Sequence, residues 1–110
     1  MSKYTPDSKA GETGTMTFRE AFNNKAFIVV DVRTPEEFSD GNYKGSVNIP
    51  SGDFERRISE LGSDKFRPMA IYCRSGARSG GCISIAQGKG FVNAFHFSNA
   101  ADLTNLVNQV

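Results

Sequence analysis

A cysteine followed by a small, polar and basic turn is the feature of this sequence best suited to chemistry. Cys73 follows a short apolar stretch, Met69–Tyr72, and precedes Arg74-Ser75-Gly76-Ala77-Arg78-Ser79. Small turn residues let successive backbone N–H groups point inward and bind an anion. A helix that starts in the turn adds the positive end of its dipole. We therefore predict that Cys73 has a lowered pKa and is a nucleophile beside an anion site.

The other interpretation of Cys73 is a small buried apolar residue at the end of a strand. The residues after it, Arg-Ser-Gly-Ala-Arg, are poor core material. Arg74 and Arg78 also place formal positive charge on both sides of the turn, as is typical of reactive thiols. These neighbours favour the functional interpretation.

Four short apolar strands alternate with helices along the chain. The strands are expected over residues 26–30, 46–49, 69–72 and 93–97. Thr17 with Glu20, and Thr34 with Glu37, form the capping-box pattern of two helix starts. Further helices are expected from about Asp53 to Leu61, from the turn after Cys73 to about Gly88, and over residues 100–110. This alternation predicts an α/β domain with a mainly parallel sheet, in which ligands bind beyond the carboxyl ends of the strands.

Length and charge narrow the class of protein. The 110 residues fit one compact domain, and a net charge of +1 predicts neither a nucleic acid nor a membrane surface as partner. Residues 1–14 are polar and lack the apolar core of a secretory signal, so we expect a flexible N-terminal arm followed by a single domain over residues 15–110. Cys73 and Cys82 do not have zinc spacing, so we expect no metal, no cofactor and a cytoplasmic location.

Four segments of the sequence resemble those of a known family. Cys73-Arg74-Ser75-Gly76-Ala77-Arg78-Ser79 is similar to the active-site loop of rhodanese domains, with the pattern Cys-Arg-Ser-Gly-x-Arg. Val30-Asp31-Val32-Arg33-Thr34-Pro35-Glu36-Glu37-Phe38 resembles the family's Asp-x-Arg segment and the helix start after it. Gly45-Ser46-Val47-Asn48-Ile49-Pro50 and Gly90-Phe91 match further segments. The resemblance spans roughly residues 17–97.

The resemblance implies a five-stranded, mainly parallel sheet flanked by helices on both faces. It implies a sulfurtransferase in which Cys73 takes a sulfane sulfur from thiosulfate or polysulfide as a persulfide and passes it to cyanide, a cellular thiol or a protein acceptor. The backbone amides of Arg74, Ser75, Gly76, Ala77 and Arg78 bind the persulfide. Arg78 fixes the loop, and Arg74 attracts an anionic donor at the mouth of the site. We expect a monomer.

Two segments depart from the family pattern. Phe97-Ser98-Asn99-Ala100-Ala101-Asp102-Leu103 replaces the usual Gly-Gly turn and aromatic residue, and Gly41-Asn42 replaces Gly-His. The changed turn bears on the acceptor and on the rate more than on the fold.

Other polar residues are expected to have structural roles. We expect Cys82 to be buried on the helix after the loop, and His96 to point away from Phe95 and Phe97 on its strand. Asp31 and Arg33 are expected to support the site as an ion pair. Glu37 fits the electrostatics of a helix start without a catalytic role.

Three other functions remain open. A cysteine phosphatase or arsenate reductase also holds a thiolate in an anion-binding loop, but rhodanese-like phosphatases have one residue more between cysteine and arginine. Here four residues separate Cys73 from Arg78. A rhodanese-like module that serves partner recognition commonly lacks the cysteine, which this chain keeps. A sulfur carrier or redox sensor that serves a dedicated partner fits the same residues.

Overall fold

The computed structural model describes residues 3–110, so Met1 and Ser2 of the expected N-terminal arm lie outside the described residues. The helices and strands follow in the order α1 (Phe18–Phe22), β1 (Ile28–Asp31), α2 (Pro35–Ser39), β2 (Val47–Asn48), α3 (Phe54–Arg57), β3 (Met69–Tyr72), α4 (Ala77–Gly88), β4 (Ala94–Phe97) and α5 (Ala100–Val107). Short 3-10 turns, Ser51–Asp53 and Ile58–Leu61, flank α3 where one continuous helix is expected. Among the described residues, no helix has the length and apolar character needed to span a membrane.

The four strands form one parallel sheet in the order β2-β1-β3-β4. Ile71 in β3 is paired with Val30 on one side and with His96 on the other. The predicted parallel sheet is confirmed, but the prediction of five strands is wrong for residues 3–110. Since β3 is a central strand, the residue that follows it lies near the middle of the sheet's carboxyl edge.

The outer edge of β4 is closed by side chains instead of a fifth strand. The Asn93 side-chain oxygen accepts hydrogen bonds from the backbone N–H groups of Thr15 at 2.8 Å and Met16 at 3.1 Å. In the described segment before α1, β-type backbone pairing is limited to an isolated antiparallel bridge between Lys9 and Thr17. Because these amides are already bonded to a side chain, the segment forms no further ladder within the described residues.

Helices cover both faces of the sheet, as predicted. Alternate residues of each strand point to opposite faces, so Val29 and Val30 belong to different apolar cores. One core contains Phe54 of α3 together with Cys82 and Ala86 of α4. The other core contains aromatic and aliphatic residues from α1, β4 and α5: Phe18, Ala21, Phe95, Phe97, Leu103 and Leu106.

Both predicted capping boxes are present. The Thr17 side chain accepts from the Glu20 N–H, and the Glu20 carboxylate accepts from the Thr17 N–H. Thr34 and Glu37 form the same reciprocal pair at the start of α2. The two boxes set where α1 and α2 begin, which matters for α2 because Glu37 also reaches the functional site.

The segment before α1 packs on the domain through one tyrosine. Tyr4 is buried, with its ring 5.3 Å from that of Phe95 and 5.5 Å from that of Phe97. Its hydroxyl oxygen accepts a hydrogen bond of 3.1 Å from the His96 backbone N–H, on the outer edge of β4. At Tyr4 this packing differs from the loose arm expected over residues 1–14. The segment is mostly polar, and its composition does not reveal that one aromatic side chain is buried.

We expect Tyr4→Ala to lower the free energy of unfolding by about 3 kcal/mol, since it removes a buried ring from an aromatic cluster. Urea denaturation followed by circular dichroism measures the change. Glu12→Ala alters an exposed residue of the same segment and is the control. Equal stability of the two variants would contradict anchoring by Tyr4.

Candidate active site

Cys73 directly follows β3, at the carboxyl end of a central strand, and a short turn leads from it into α4. Gly76, the residue before α4, has a left-handed backbone with a φ of 98°. A Cβ atom there would lie 3.0 Å from the Ser98 Oγ. Both the positive φ and the close approach favour glycine, so Gly76 allows the turn to fold back tightly over the cysteine.

Three groups of this turn contact the Cys73 sulfur. The Gly76 N–H donates to the Sγ over 3.0 Å and the Ser79 N–H over 3.4 Å. The Ser79 hydroxyl oxygen lies 3.1 Å from the same sulfur. Cys73 is only 2% exposed, so these groups replace water as its hydrogen-bonding environment. The arrangement is suited to hold negative charge on sulfur.

The pKa of the Cys73 thiol is lowered by the turn. Burial by itself raises this pKa, because it disfavours the charged form. Hydrogen bonds from the Ser79 side chain and from the backbone of Ser79, Ser75 and Gly76 act in the opposite direction and outweigh the burial. A larger fraction of Cys73 is therefore thiolate at neutral pH than of an ordinary cysteine.

Arg78 is bound to α2. Its guanidinium donates to both carboxylate oxygens of Glu37, with Nη1–Oε1 at 2.6 Å and Nη2–Oε2 at 3.1 Å. This pair lowers the pKa of Glu37 to about 2, with a smaller contribution from the Thr34 backbone. The sequence pattern around Glu37 indicates only a helix start and gives no sign of this second contact. A bidentate pair between α2 and the start of α4 holds the turn in place.

Arg74 is exposed and lines a pocket that opens beside the cysteine. The pocket has a volume of about 350 Å³. Its other lining residues come from the loop after β1, the loop after α2, β3 and the start of α5: Arg33, Gly41, Asn42, Tyr72, Cys73, Asn99, Ala100 and Ala101. The pocket therefore contains both segments that depart from the family pattern.

Asp31 and Arg33 form an ion pair at this pocket, in which Asp31 is buried and Arg33 lines the pocket. The Asp31 carboxylate is fully buried and accepts from the Arg33 Nη2 at 2.6 Å and from the Tyr72 hydroxyl at 2.7 Å. Arg33 also donates to the Gly41 carbonyl over 2.6 Å. Because Tyr72 immediately precedes Cys73, this network holds the end of β3 against the loops that line the pocket.

The changed turn after β4 lies against the cysteine turn. The Ser98 carbonyl oxygen is 3.8 Å from the Cys73 Sγ, and Ser98 also packs on Gly76. The Asn99 side chain accepts from the Asp102 N–H over 2.8 Å and caps α5. The changed turn thus contacts the cysteine turn through Ser98 and starts α5 through Asn99.

Cys82 and His96 have different surroundings. Cys82 is buried as expected, and burial is the main reason that its pKa rises to about 11. His96 is partly exposed, and its Nε2 lies 2.8 Å from the Ser79 Oγ. Ser79 is not among the site residues expected from the sequence, although its position in the first turn of α4 places it beside Cys73. No cluster of three metal-ligating side chains is found within residues 3–110.

Comparison with known proteins supports one family. Residues 16–101 match the sequence profile of the Rhodanese-like domain. The chain is 31% identical over 77 residues to the thiosulfate sulfurtransferase PspE of Escherichia coli, covering 70% of this chain and 71% of PspE. A solved structure described as "rhodanese with anions from E. coli" has a TM-score of 0.64 and 28% identity, over 69% of this chain and 89% of that one.

Some relatives are longer proteins. The chain is 27% identical over 96 residues to a tRNA uridine(34) hydroxylase of Pelagibacter ubique, which covers 86% of this chain but 32% of the relative. A second tRNA uridine(34) hydroxylase, from Prochlorococcus marinus strain MIT 9515, is 28% identical over 94 residues, which cover 73% of this chain and 30% of the relative. The shared region is thus a domain that occurs alone and within larger proteins.

We expect Glu37→Gln to destabilise the fold in a pH-dependent way. Glutamine can still complete the capping box, so the variant removes mainly the charge that faces Arg78. The pKa of Glu37 falls from an ordinary 4.5 to about 2 on folding. Its contribution to the free energy of unfolding is therefore complete above about pH 4.5 and is lost as pH falls toward 2.

Urea denaturation of both proteins between pH 2 and 7 measures this difference. Glu36→Gln, which removes a charge from the same helix but outside the Arg78 contact, is the control. A difference that stays constant down to pH 2 would show that the ion pair is not its source.

Proposed function

Because the chain belongs to the rhodanese-like family, we propose that it is a sulfurtransferase that carries sulfane sulfur as a persulfide on Cys73. The observation that carries the proposal is the ring of donors around the sulfur. Two backbone N–H groups and one hydroxyl contact a thiol that is almost completely buried. This environment favours a sulfur anion, which both the thiolate and the persulfide are.

In the first half-reaction the Cys73 thiolate attacks the outer sulfur of thiosulfate. A Cys73–S–S⁻ bond forms, the S–S bond of the donor breaks, and sulfite leaves with the bonding electron pair. The total charge of −3 is the same before and after. No general base is needed at the moment of attack, since hydrogen bonds from Ser79 and Gly76 already lower the pKa of the thiol.

In the second half-reaction a thiophilic acceptor attacks the outer sulfur of the persulfide. With cyanide, the new bond is the C–S bond of thiocyanate, and Cys73 leaves as a thiolate. The same hydrogen bonds then stabilise the leaving group. A cellular thiol or a protein thiol is the other acceptor class that we propose.

Thiosulfate is the proposed donor for two reasons. PspE, a relative of similar length, is a thiosulfate sulfurtransferase. Arg74 is an exposed cation at the rim of the pocket beside Cys73, where it attracts a dianion by long-range electrostatics. Both cysteines are free thiols, which fits the reducing environment of the cytoplasm that we propose as the location.

A cysteine phosphatase is the alternative that the loop disfavours. Four residues lie between Cys73 and Arg78, and the Arg78 guanidinium is bound to Glu37 through both of its terminal nitrogens. A transferring phosphoryl group needs donors for three equatorial oxygens. With its arginine directed to Glu37, this turn is better suited to a single sulfur atom.

We expect Cys73→Ser to reduce thiosulfate-to-cyanide transfer by on the order of 10³-fold or more while leaving the fold intact, because a hydroxyl is a poor nucleophile here without a base. Thiocyanate formation and circular dichroism measure the two quantities. Cys82→Ala is the matched control and is expected to keep most of the activity.

Mass spectrometry after incubation with thiosulfate should show one added sulfur, located on Cys73. Substantial transfer by folded Cys73→Ser would refute the assignment of the nucleophile. Hydrolysis of aryl phosphates at a rate equal to or above sulfur transfer would instead place the protein among the phosphatases.

We expect Arg74→Ala to lower kcat/KM for thiosulfate by about fivefold at low salt, since an exposed charge acts mainly by steering. The loss should shrink as ionic strength rises, and it should be smaller for a less charged polysulfide donor. Arg56→Ala removes the same charge at an exposed position outside the pocket and is the control. Unchanged thiosulfate kinetics at low salt would remove Arg74 from the site.

A further inference from the structure

Ser79 connects the reactive sulfur to the histidine of the chain. Its hydroxyl oxygen lies 3.1 Å from the Cys73 Sγ and 2.8 Å from the His96 Nε2. The same oxygen is 3.2 Å from the Phe97 carbonyl and 3.3 Å from the Gly76 carbonyl. A hydroxyl has one proton and two lone pairs, so it can accept from one of these neighbours while it donates to another.

The burial of the three side chains changes along this path. Cys73 is 2% exposed and Ser79 is fully buried, whereas His96 is partly exposed. The sulfur therefore has little direct contact with water outside the pocket that it lines. The path through Ser79 therefore leads from two buried residues to one that is partly exposed.

The position of His96 is set by its strand. Phe95 and Phe97 point into the core that contains α1 and α5, so His96 between them points to the opposite face, where α4 lies. Its backbone N–H is bonded to the Tyr4 hydroxyl, and its residue pairs with Ile71 in the sheet. The ring is thus held against the first turn of α4, where Ser79 lies.

We propose that Ser79 and His96 form a proton relay that takes the proton from Cys73 to the protein surface and then orients the Ser79 hydroxyl toward the thiolate. Ser79 touches the reacting sulfur and is a catalytic residue in this scheme. His96 acts through Ser79 and is a positioning residue. The inference rests on the proposed role of Cys73 as the nucleophile.

The transfer conserves protons and charge. The S–H bond of Cys73 breaks as its proton moves to the Ser79 oxygen, and the Ser79 proton moves to the His96 Nε2. The products are a thiolate, an unchanged hydroxyl and an imidazolium, which then releases its Nδ1 proton to water. The neutral ring now carries its proton on Nε2 and donates to Ser79, and Ser79 donates to the sulfur. Because the thiolate is charged, the hydrogen bond from Ser79 to the sulfur is stronger than one to the carbonyl of Gly76 or Phe97.

Several groups act on the His96 ring. Burial lowers its pKa, and the charge of Lys3 in the N-terminal segment lowers it further, while the Gly76 carbonyl raises it. Cys73 faces the ring through Ser79, and the Tyr4 hydroxyl contacts the backbone of His96. With a pKa below the ordinary value, the ring is mostly neutral at neutral pH, so Nε2 is able to accept a proton and return it.

A relay of this kind serves both half-reactions. Cys73 must lose a proton before it attacks the donor and must be stabilised when it leaves the persulfide. A ring that exchanges one proton with water can support both steps without becoming permanently charged. The hydrogen bonds between Cys73, Ser79 and His96 can point in two directions. One direction corresponds to the thiol form of Cys73 and the other to the thiolate.

Nuclear magnetic resonance of the ring nitrogens tests the relay directly. His96 is the only histidine in the sequence, so ring ¹⁵N signals of the full chain belong to it alone. We expect Nε2 to change from an unprotonated to a protonated signal over the same pH range in which the Cys73 thiol ionises. This step should vanish in Cys73→Ser, while titration of the ring itself remains.

Alkylation by iodoacetamide measures the ionisation of Cys73 without any sulfur donor. In a Cys82→Ala background, Ser79→Ala should lower the alkylation rate at pH 6 by about tenfold, the effect of one charge-assisted hydrogen bond. His96→Phe should lower the alkylation rate by a smaller factor, because the Ser79 hydroxyl loses the hydrogen bond that the His96 Nε2–H donates to it. His96→Gln restores an N–H that cannot titrate, so it should recover the rate.

Ser84→Ala is the matched control, since it removes an exposed hydroxyl from the same helix. Ring nitrogen signals that do not change through the ionisation of Cys73, or equal alkylation profiles for the wild type, Ser79→Ala and His96→Phe, would overturn the relay. Both measurements are independent of sulfur transfer. The relay can therefore hold if thiosulfate is not a substrate, and sulfur transfer can persist if the relay is absent.

Discussion

Negative charge on a buried sulfur is the constraint on which the rest of this structure depends. Without water, a thiolate at the position of Cys73 is stable only where donors converge on it. The Gly76 and Ser79 N–H groups meet this need because the chain turns sharply between β3 and α4. This turn requires a residue with a left-handed backbone and no Cβ at position 76, where Gly76 packs against Ser98. The backbone of the loop is thus matched to the chemistry that we propose for one atom.

A tight turn keeps its shape only if its surroundings hold it. The Arg78–Glu37 pair connects the start of α4 to α2, and the Asp31–Arg33 pair with Tyr72 connects the end of β3 to the loops beyond β1 and α2. Loss of Arg33 would leave the fully buried Asp31 carboxylate without its charged partner, which costs more than the pair contributes by itself. These contacts therefore oppose any movement of the turn away from the sulfur.

Local patterns in the sequence predicted most of the fold. The four strands lie within two residues of their expected bounds, since runs such as Ala26–Val30 are short, apolar and β-branched. The capping boxes located α1 and α2 for the same local reason. The expectation of five strands failed at the edge of β4, where the Asn93 side chain takes the amides that a further strand would use.

Long-range contacts of the site were harder to foresee. Cys73 and its turn form one continuous motif, whereas Glu37 reaches Arg78 across 41 positions and His96 reaches Ser79 across 17. A glutamate that already satisfies a capping box gives no sign of a second partner. The alternation in β4 predicted the face to which His96 points, but not that Ser79 would stand between its ring and the sulfur.

The two cysteines show that burial alone does not make a thiol reactive. Both are almost completely buried, and for both burial raises the pKa. Cys73 has N–H and O–H donors directed at its sulfur, and its pKa falls. Cys82 lies further along α4 among apolar side chains of the same core, and its pKa rises to about 11. The charge of the Cys73 thiolate also raises the pKa of Cys82, which agrees with the proposal of Cys73 as the single reactive sulfur.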